Sequence, residues 1–252
     1  MSLRRFFVPH DALIGDKVRL EGDLAHRISR VLRLDAGDTV VLLDGGGAEY
    51  ETRLEEVGPR SITGTVVSRR PGRPEPGVRL VLYQSLVKGE RFDWVLEKGT
   101  EIGVAAFVPL LSTRNVRRPA PERLGRPERW HRVLREAAEQ CGRSVLPDLL
   151  PAQSLEEALS TAADLRFLPW EGEEALGLAT ALRQARPALQ AVERPTVAVF
   201  IGPEGGFAVD EVALARQAGA QVVSLGRRIL RSETAGIVAA AAVLYEFGEL
   251  GG

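Results

Sequence analysis

A segment dense in proline and glycine constrains the fold of this chain most. Residues 69–77, RRPGRPEPG, contain three prolines and two glycines. Proline lacks a backbone N–H and fixes φ, so the interior of a helix or strand rarely accepts such a density of these residues. The segment predicts a linker at 71–77 between a domain of residues 1–70 and a domain of residues 78–252. A chain of 252 residues is long enough for two domains.

The first 70 residues have the pattern of a small β-barrel. Short segments with β-branched or alternating apolar residues are separated by Gly and Asp. The predicted strands are 17–20, 39–43, 50–57 and 62–67.

A helix is predicted between the first two of these strands. Asp23 can cap its N-terminus. One face of the predicted helix is apolar and carries Leu24, Ile28, Val31 and Leu32. His26, Arg30 and Arg33 then lie together on another face, which predicts a basic stripe.

After residue 77 the pattern changes to apolar strands that alternate with helices. The predicted strands are 79–83, 165–168, 196–201 and 221–225, with a further apolar run at 104–111. The predicted helices are 92–102, 130–141, 210–218 and 233–247. This alternation is typical of an α/β domain.

Several classes of protein are disfavoured by composition and motifs. Cys141 is the single cysteine, and the three histidines have no metal-ligand spacing, so we expect neither a disulfide nor a metal site. The longest apolar run, 237–244, is shorter than the roughly 18 residues that span a bilayer. No signal-peptide pattern opens the chain, so we expect a cytoplasmic protein without a membrane partner. The sequence contains no dinucleotide fingerprint, no phosphate-binding P-loop and no GxSxG nucleophile motif.

The net charge of -1 conceals a basic region. Residues 112–143 contain nine arginines and four glutamates. Such a region can position nucleic-acid phosphates, or it can be a solvated surface of internal ion pairs. The charge pattern leaves both interpretations open.

Three predicted strands end in unusual loops, LPWE at 168–171, IGPEGGF at 201–207 and LGRRILRSETA at 225–235. Ligands of open parallel sheets bind beyond the carboxyl ends of the strands, and glycine lets the backbone approach a ligand closely. Arg227, Arg228 and Arg231 precede the last predicted helix. They can pair with Glu204 or Glu233, or they can face a phosphate or a developing oxyanion. Composition does not decide between these two roles.

These loops, together with other segments in the same order, resemble a known family. The matching segments are 5–9, 26–38, 84–93, 97–104, 136–143, 201–207 and 225–235. The chain resembles the bacterial small-subunit ribosomal RNA uracil-N3 methyltransferases of the SPOUT superfamily, which use S-adenosylmethionine. Ser232 stands where the family often has threonine, which keeps the hydroxyl group.

The resemblance implies a fold and a function. The fold is a PUA-like β-barrel followed by an α/β methyltransferase domain threaded through a trefoil knot, and the protein is a homodimer without metal. The function is methylation of N3 of a uridine in 16S ribosomal RNA, in the assembled 30S subunit. The resemblance also implies a cofactor site at the knot loops, formed by Leu168, Ile201, Gly202, Pro203, Glu204, Gly205, Gly206, Leu225, Gly226, Ile229, Leu230 and Thr234.

Further roles follow from the same resemblance. Arg231 is expected to stabilise the negative charge on the uridine, while Glu204 and Glu233 are candidates for the general base or only orient an arginine. The general base stays open, because hydroxide or water can also take the proton. The expected RNA contacts are Arg5, His26, Arg30, Arg33 and Arg114. Two alternatives remain, namely a non-catalytic RNA-binding assembly factor and a SPOUT methyltransferase that acts on another RNA, such as transfer RNA.

Overall fold

The structure, a computed structural model, describes residues 3–88, 90–114, 127–189 and 191–251. It divides the chain into two compact units. The first unit is Met1–Glu75 with Ala138–Leu146, and the second is Pro76–Ala137 with Pro147–Gly252. The division after Glu75 falls inside the segment predicted as a linker. The inclusion of 138–146 in the first unit was not predicted.

The first unit contains a mixed sheet of six strands in the order β1-β4-β5-β6-β3-β2. The strands are β1 Arg5–Phe7, β2 Leu13–Ile14, β3 Lys17–Glu21, β4 Thr39–Leu43, β5 Ala48–Val57 and β6 Ser61–Pro71. Only the pair β1 and β4 is parallel among them. Phe6, Leu20, Leu42, Leu54 and Ile62 are almost completely buried and form the core of this unit.

Strand β6 extends into the segment that we predicted to be irregular. Arg69, Arg70 and Pro71 pair in register with residues 48–50 of β5. The expectation that residues 69–77 lie outside any strand was wrong for 69–71. A proline at the last position of a strand removes only one N–H, at the end of the hydrogen-bond ladder.

The helix predicted to carry His26, Arg30 and Arg33 differs from the prediction in its N-terminal cap and in its length. Helix α1, Gly22–His26, begins after Glu21, so Asp23 lies in its first turn and does not cap it. A π-helical turn, Arg27–Val31, follows. Its wider turn breaks the 3.6-residue spacing, which leaves Val31 65% exposed instead of on the apolar face. Arg33 lies beyond the turn at φ +53°.

Residues 138–146 complete the first unit by packing and hydrogen bonding. Ala138 packs with Phe7 and neighbouring β4 residues. The Glu139 carboxylate accepts a hydrogen bond from the Phe7 N–H at 3.1 Å and pairs with Arg27 at 3.0 Å. Arg143 pairs with Glu75. These contacts are long-range in sequence, so no local pattern predicts them.

The second unit is an α/β domain with a parallel sheet, as predicted. The sheet order is β10-β8-β7-β12-β11-β13, and β9 pairs with β8. Its strands are β7 Arg79–Ser85, β8 Ala106–Leu111, β9 Asp148–Leu149, β10 Gln153–Ser154, β11 Leu165–Pro169, β12 Thr196–Ile201 and β13 Gln221–Val223. Its helices are α2 Arg91–Ile102, α3 Pro127–Cys141, α4 Leu155–Ser160, α5 Leu178–Leu189, α6 Val209–Gln217 and α7 Ser232–Glu246, with the end of α3 in the first unit.

Apolar residues cover both faces of this sheet. Alternate residues of β7 and β12 pack on one side against α2, α5 and α7, and on the other side against α4 and α6. Tyr83 and Phe200, on the second side, stack with ring centroids 4.6 Å apart. Burial on both faces explains why these strands are continuous apolar runs. None of the helices that the structure describes is long and apolar enough to cross a bilayer.

Candidate active site

The loops after β11, β12 and β13, named the first, second and third loops, line one cleft of about 1090 Å³. Strand β11 lies between β12 and β13, and all three are parallel, so their carboxyl ends share one edge of the sheet. Predicted cofactor residues that line the cleft are Ile201, Gly202, Pro203, Glu204, Gly205, Gly206, Leu225, Gly226, Ile229 and Leu230. Arg231 also lines it.

Three of the residues predicted for cofactor binding or catalysis do not line the cleft. The side chain of Leu168 is completely buried in the apolar core beside α4 and α6. Thr234 and Glu233 lie in the first turn of α7, outside the cleft-lining set. Leu168 ends in the core because alternate residues of a strand point to opposite faces of the sheet, and its side chain points to a covered face.

The first and second loops meet at a glycine. Gly206 has φ +66°, and a Cβ built on it would lie 2.1 Å from Glu171 Oε1. Trp170, the residue before Glu171, lines the cleft as well. A larger residue at position 206 would displace the Glu171 carboxylate from this place.

Glu173 fixes the first loop. Its carboxylate accepts hydrogen bonds from the backbone N–H groups of Ala175 at 2.9 Å and Leu176 at 3.3 Å, and from Arg216 at 2.8 Å. The backbone hydrogen bonds, with Arg216, lower the pKa of Glu173. The carboxylate is therefore ionised at neutral pH and links the loop after β11 to Arg216.

Arg91 is a site residue that was not singled out in the sequence. Its guanidinium lies 3.6 Å from Glu204 Oε1 and 3.6 Å from Glu233 Oε1. The backbone N–H of Lys88 also donates to Glu204, at 3.2 Å. Arg91 lies at the start of α2 and lines the cleft, and it joins the second loop to the start of α7.

The ion pairs of Arg91 decide between the two roles considered for Arg227, Arg228 and Arg231, which were pairing with Glu204 or Glu233 and facing an anionic group. Glu204 and Glu233 pair with Arg91 and not with Arg227, Arg228 or Arg231. Those three arginines are exposed, and among the described residues their guanidinium groups form no hydrogen bond or ion pair. Their charges are available to an anionic group in the cleft.

A hydrogen-bonded serine begins α7. The Ser232 hydroxyl donates to the Gly202 carbonyl at 2.5 Å and accepts from Gln84 Nε2 at 2.9 Å. Sequence reasoning assigned no role to Gln84, and to Ser232 only a hydroxyl in the third loop. The sequence could have singled out both residues by their position, because both lie within segments that carry the family resemblance.

Arg114 lies at the edge of the second loop and donates to the Gly205 carbonyl at 3.2 Å. The buried carboxylate of Glu211 positions the preceding residues, accepting from the Ser112 hydroxyl at 3.1 Å and the Thr113 N–H at 3.0 Å. The basic region continues at 115–126, which lies outside the described residues.

Two arginines of the described part of the basic region form ion pairs. Arg129 pairs with Glu90 and Asp93, and Arg143 pairs with Glu75. For these two residues the interpretation as internal ion pairs is correct.

In the first unit, Arg5 has a structural partner. It pairs with Glu49, whose side chain is 4% exposed and which also pairs with Arg70 at 3.0 Å. Burial raises the pKa of Glu49, but the two guanidinium groups outweigh it and the net pKa is lowered. The pairing does not support the predicted RNA contact of Arg5. His26, Arg30 and Arg33 are exposed.

A metal centre requires a cluster of ligands. Across residues 3–88, 90–114, 127–189 and 191–251, no group of three or more His, Cys, Asp or Glu side chains could hold a metal ion.

Comparisons with known proteins identify the family. A family model described as RNA methyltransferase domain matches residues 73–244, and one described as RNA methyltransferase PUA domain matches residues 20–67. The chain is 35% identical over 246 residues to the ribosomal RNA small subunit methyltransferase E of Synechocystis sp., over 95% of this chain and 76% of that protein. Its identity to the protein of the same name from Bacillus subtilis is 28%, over 90% of this chain and 89% of that one.

Solved structures agree with these matches. A methyltransferase structure from Legionella pneumophila with bound S-adenosylmethionine has a TM-score of 0.86 at 28% identity, over 97% of this chain and 98% of that one. The ribosomal RNA small subunit methyltransferase E of Neisseria gonorrhoeae, also with bound S-adenosylmethionine, has a TM-score of 0.81 at 29% identity, with the same coverage. The chain therefore belongs to the family of the ribosomal RNA small subunit methyltransferases E, whose RNA methyltransferase domain follows a PUA domain.

Proposed function

We propose that this protein transfers a methyl group from S-adenosylmethionine to N3 of a uridine in the 16S ribosomal RNA of the assembled 30S subunit. The observation that carries the proposal is the cleft at the carboxyl ends of β11, β12 and β13, with unpaired arginines beside it. Relatives of the same family that hold S-adenosylmethionine support the choice of methyl donor.

The cleft fits the methyl donor in size and chemistry. Its volume of about 1090 Å³ accommodates a nucleoside joined to an amino acid. Glycine backbone and the apolar side chains of Ile201, Leu225 and Leu230 suit the adenine and the methionine chain. Glu171 and Glu174 line the cleft and have no ion pair with any residue of the described chain, so they suit the cationic groups of the donor. When bound, S-adenosylmethionine supplies an electrophilic methyl group.

Arg231 is the residue that we assign to the acceptor base. Uridine N3 carries a proton, and its loss spreads negative charge onto the flanking carbonyl oxygens. Arg231 precedes the first residue of α7, is exposed, and has no ionic partner among the described residues. A guanidinium beside a helix N-terminus stabilises such a charge.

The carboxylates of Glu204 and Glu233 are assigned to positioning. Both contact Arg91, at 3.6 Å each, which makes them partners of a cation. We assign them to holding Arg91 between the second loop and α7. The N3 proton then passes to hydroxide or water.

The RNA is held by exposed basic side chains. His26, Arg30 and Arg33 project from the first unit, and Arg114 lies beside the second loop. Contacts of this kind go to phosphates and orient the RNA, while the cleft selects the base. A substrate in the ribosomal subunit places the protein in the cytoplasm.

The active form is proposed to be a homodimer, with a trefoil knot formed where the three cleft loops meet. Val238 is 41% exposed and Tyr245 is 68% exposed, and they lie two turns apart on one face of α7. Trp94, on the adjacent helix α2, is 41% exposed. Exposed apolar side chains on packed helices indicate a surface that a second copy covers.

Transfer of labelled methyl groups tests the proposal. S-adenosylmethionine is incubated with the protein and with 30S subunits that lack the modification, with naked 16S RNA and transfer RNA in parallel. Label at uridine N3 in the subunits is the expected result. Label only in transfer RNA would move the substrate, and tight RNA binding without any label would favour a non-catalytic assembly factor.

A further inference from the structure

Ser232 connects three elements through one hydroxyl group. It is the first residue of α7 and is 7% exposed. Its Oγ donates to the carbonyl of Gly202, the first residue after β12, at 2.5 Å. The same oxygen accepts from Nε2 of Gln84, near the end of β7, at 2.9 Å.

The direction of these hydrogen bonds is fixed. The Gly202 carbonyl can only accept, so the single proton of the Ser232 hydroxyl goes to it. The lone pair of Ser232 must then accept from the Gln84 amide. Gln84 is completely buried, and Nε2 also donates to the Ser85 carbonyl at 3.3 Å, which holds the amide in this orientation.

A glycine in α7 admits the amide. Gly236 lies one helical turn after Ser232, and a Cβ built on it would be 2.3 Å from Gln84 Oε1. The bulk of the amide therefore occupies the position that a side chain at 236 would take. Gln84, Ser232 and Gly236 form a buried unit behind the cleft.

We infer that Ser232 is a positioning residue for the methyl donor. Gly202 and Ser232 both line the cleft. Ser232 begins α7 directly after the third loop, so its hydrogen bond to Gly202 ties the second loop to the end of the third loop. Without the hydroxyl, the Gly202 carbonyl and the Gln84 amide lose their partner, and the two loops separate or reorient. The inference rests on the proposed function to the extent that the cleft is the donor site.

The chain offers a matched control at Ser85. This residue follows Gln84 in β7 and is completely buried, and its Oγ has no hydrogen-bond partner among the described residues. Ser85→Ala and Ser232→Ala thus each delete one buried hydroxyl group. The hydroxyl of Ser85 has no hydrogen-bond partner in the described part of the chain, whereas that of Ser232 is bonded to Gly202 and Gln84. Ser232→Thr restores the hydroxyl.

Binding of S-adenosylmethionine is measured by titration calorimetry, with thermal unfolding of the donor-free protein in parallel. Ser232→Ala should weaken binding about tenfold, because it removes two hydrogen bonds and leaves both the Gly202 carbonyl and the Gln84 amide without this partner. Ser85→Ala and Ser232→Thr should bind within about threefold of wild type. Gln84→Met should weaken binding like Ser232→Ala, and the double variant should lose little more, because the two groups act as a unit.

Normal binding by Ser232→Ala, or equal losses in Ser232→Ala and Ser85→Ala, would overturn the inference. Loss of affinity that Ser232→Thr does not restore would also overturn it. The binding readout separates this inference from the proposed function, since a protein that binds the donor but labels no RNA contradicts only the latter. A wild-type protein that does not bind the donor contradicts both.

Discussion

The carboxylate of Glu171 lies against the backbone of Gly206, so closely that a Cβ at position 206 would be 2.1 Å from Glu171 Oε1. This relationship brings the loop after β11 onto the loop after β12. Gly206 has φ +66°, which also disfavours any residue with a side chain. A side chain at position 206 would therefore have two effects, a strained backbone and a displaced Glu171 carboxylate.

Gly206→Ala should weaken binding of S-adenosylmethionine more than backbone strain alone can explain. Gly219 is the control, since it has φ +80° but open space around its Cα. Both variants should lose stability of the order of 1 kcal/mol from the left-handed conformation. Only Gly206→Ala should lose donor affinity, measured by calorimetry. Equal affinity in both variants would show that the two loops need not touch.

Arg231→Ala should slow methyl transfer with saturating donor. Removal of one preorganised donor to a developing negative charge costs roughly 2.7–4 kcal/mol, or about 10²–10³ in kcat. Arg183→Ala, on the exposed surface of α5 and outside the cleft, should retain the wild-type rate. Single-turnover rates on 30S subunits provide the measurement, and an unchanged rate in Arg231→Ala would exclude its role.

A charge in the exposed apolar face of α7 should separate the homodimer. Val238→Glu places a carboxylate on this face, where a second copy would have to bury it. Val209→Glu is the control, because Val209 is 70% exposed at the start of α6, where a negative charge is favourable. Light scattering should give twice the 27.4 kDa of one chain for wild type and Val209→Glu. It should give one chain for Val238→Glu, and two copies in that variant would exclude this face.

The first unit should lose an electrostatic contribution to stability in acid. The pKa of Glu49 in the folded protein lies below the ordinary value of 4.5, since the pairs with Arg5 and Arg70 outweigh burial. The ionised carboxylate therefore stabilises the fold fully above the pKa of the unfolded state. This contribution is lost as pH falls through the lower pKa of the folded state.

The corresponding variant is Glu49→Gln. Its melting temperature should be lower than that of wild type at pH 7, and the difference should shrink as the pH falls below about 4. Glu56→Gln, an exposed change on the same strand, should melt like wild type at pH 7. A difference for Glu49→Gln that is constant down to pH 2 would mean that packing, and not charge, causes the loss.

Local sequence patterns predicted the longer strands and most of the helices, but not α4, α5 or the shortest strands, and not the contacts between distant residues. The strand Thr39–Leu43 and the strand Thr196–Ile201 have the predicted bounds because alternation or continuous apolar character marks them directly. The pairing of Arg91 with Glu204 and Glu233 joins residues more than 100 positions apart, which periodicity cannot show. The π-helical turn after α1 depends on backbone hydrogen bonding and not on side-chain spacing, so periodicity could not predict it either.

The basic residues near α1 should determine how strongly RNA binding depends on salt. Each arginine that neutralises a phosphate releases counterions, so its loss reduces the slope of log K against log salt by roughly 0.7–0.9. Arg30 and Arg33 are exposed, whereas Arg19 on β3 pairs with Glu21 at 2.6 Å. Arg30→Gln combined with Arg33→Gln should reduce the slope by about twice that amount, and Arg19→Gln should change it little. Equilibrium binding of 16S RNA fragments at several salt concentrations measures the slopes, and an unchanged slope in the double variant would remove this stripe from the RNA interface.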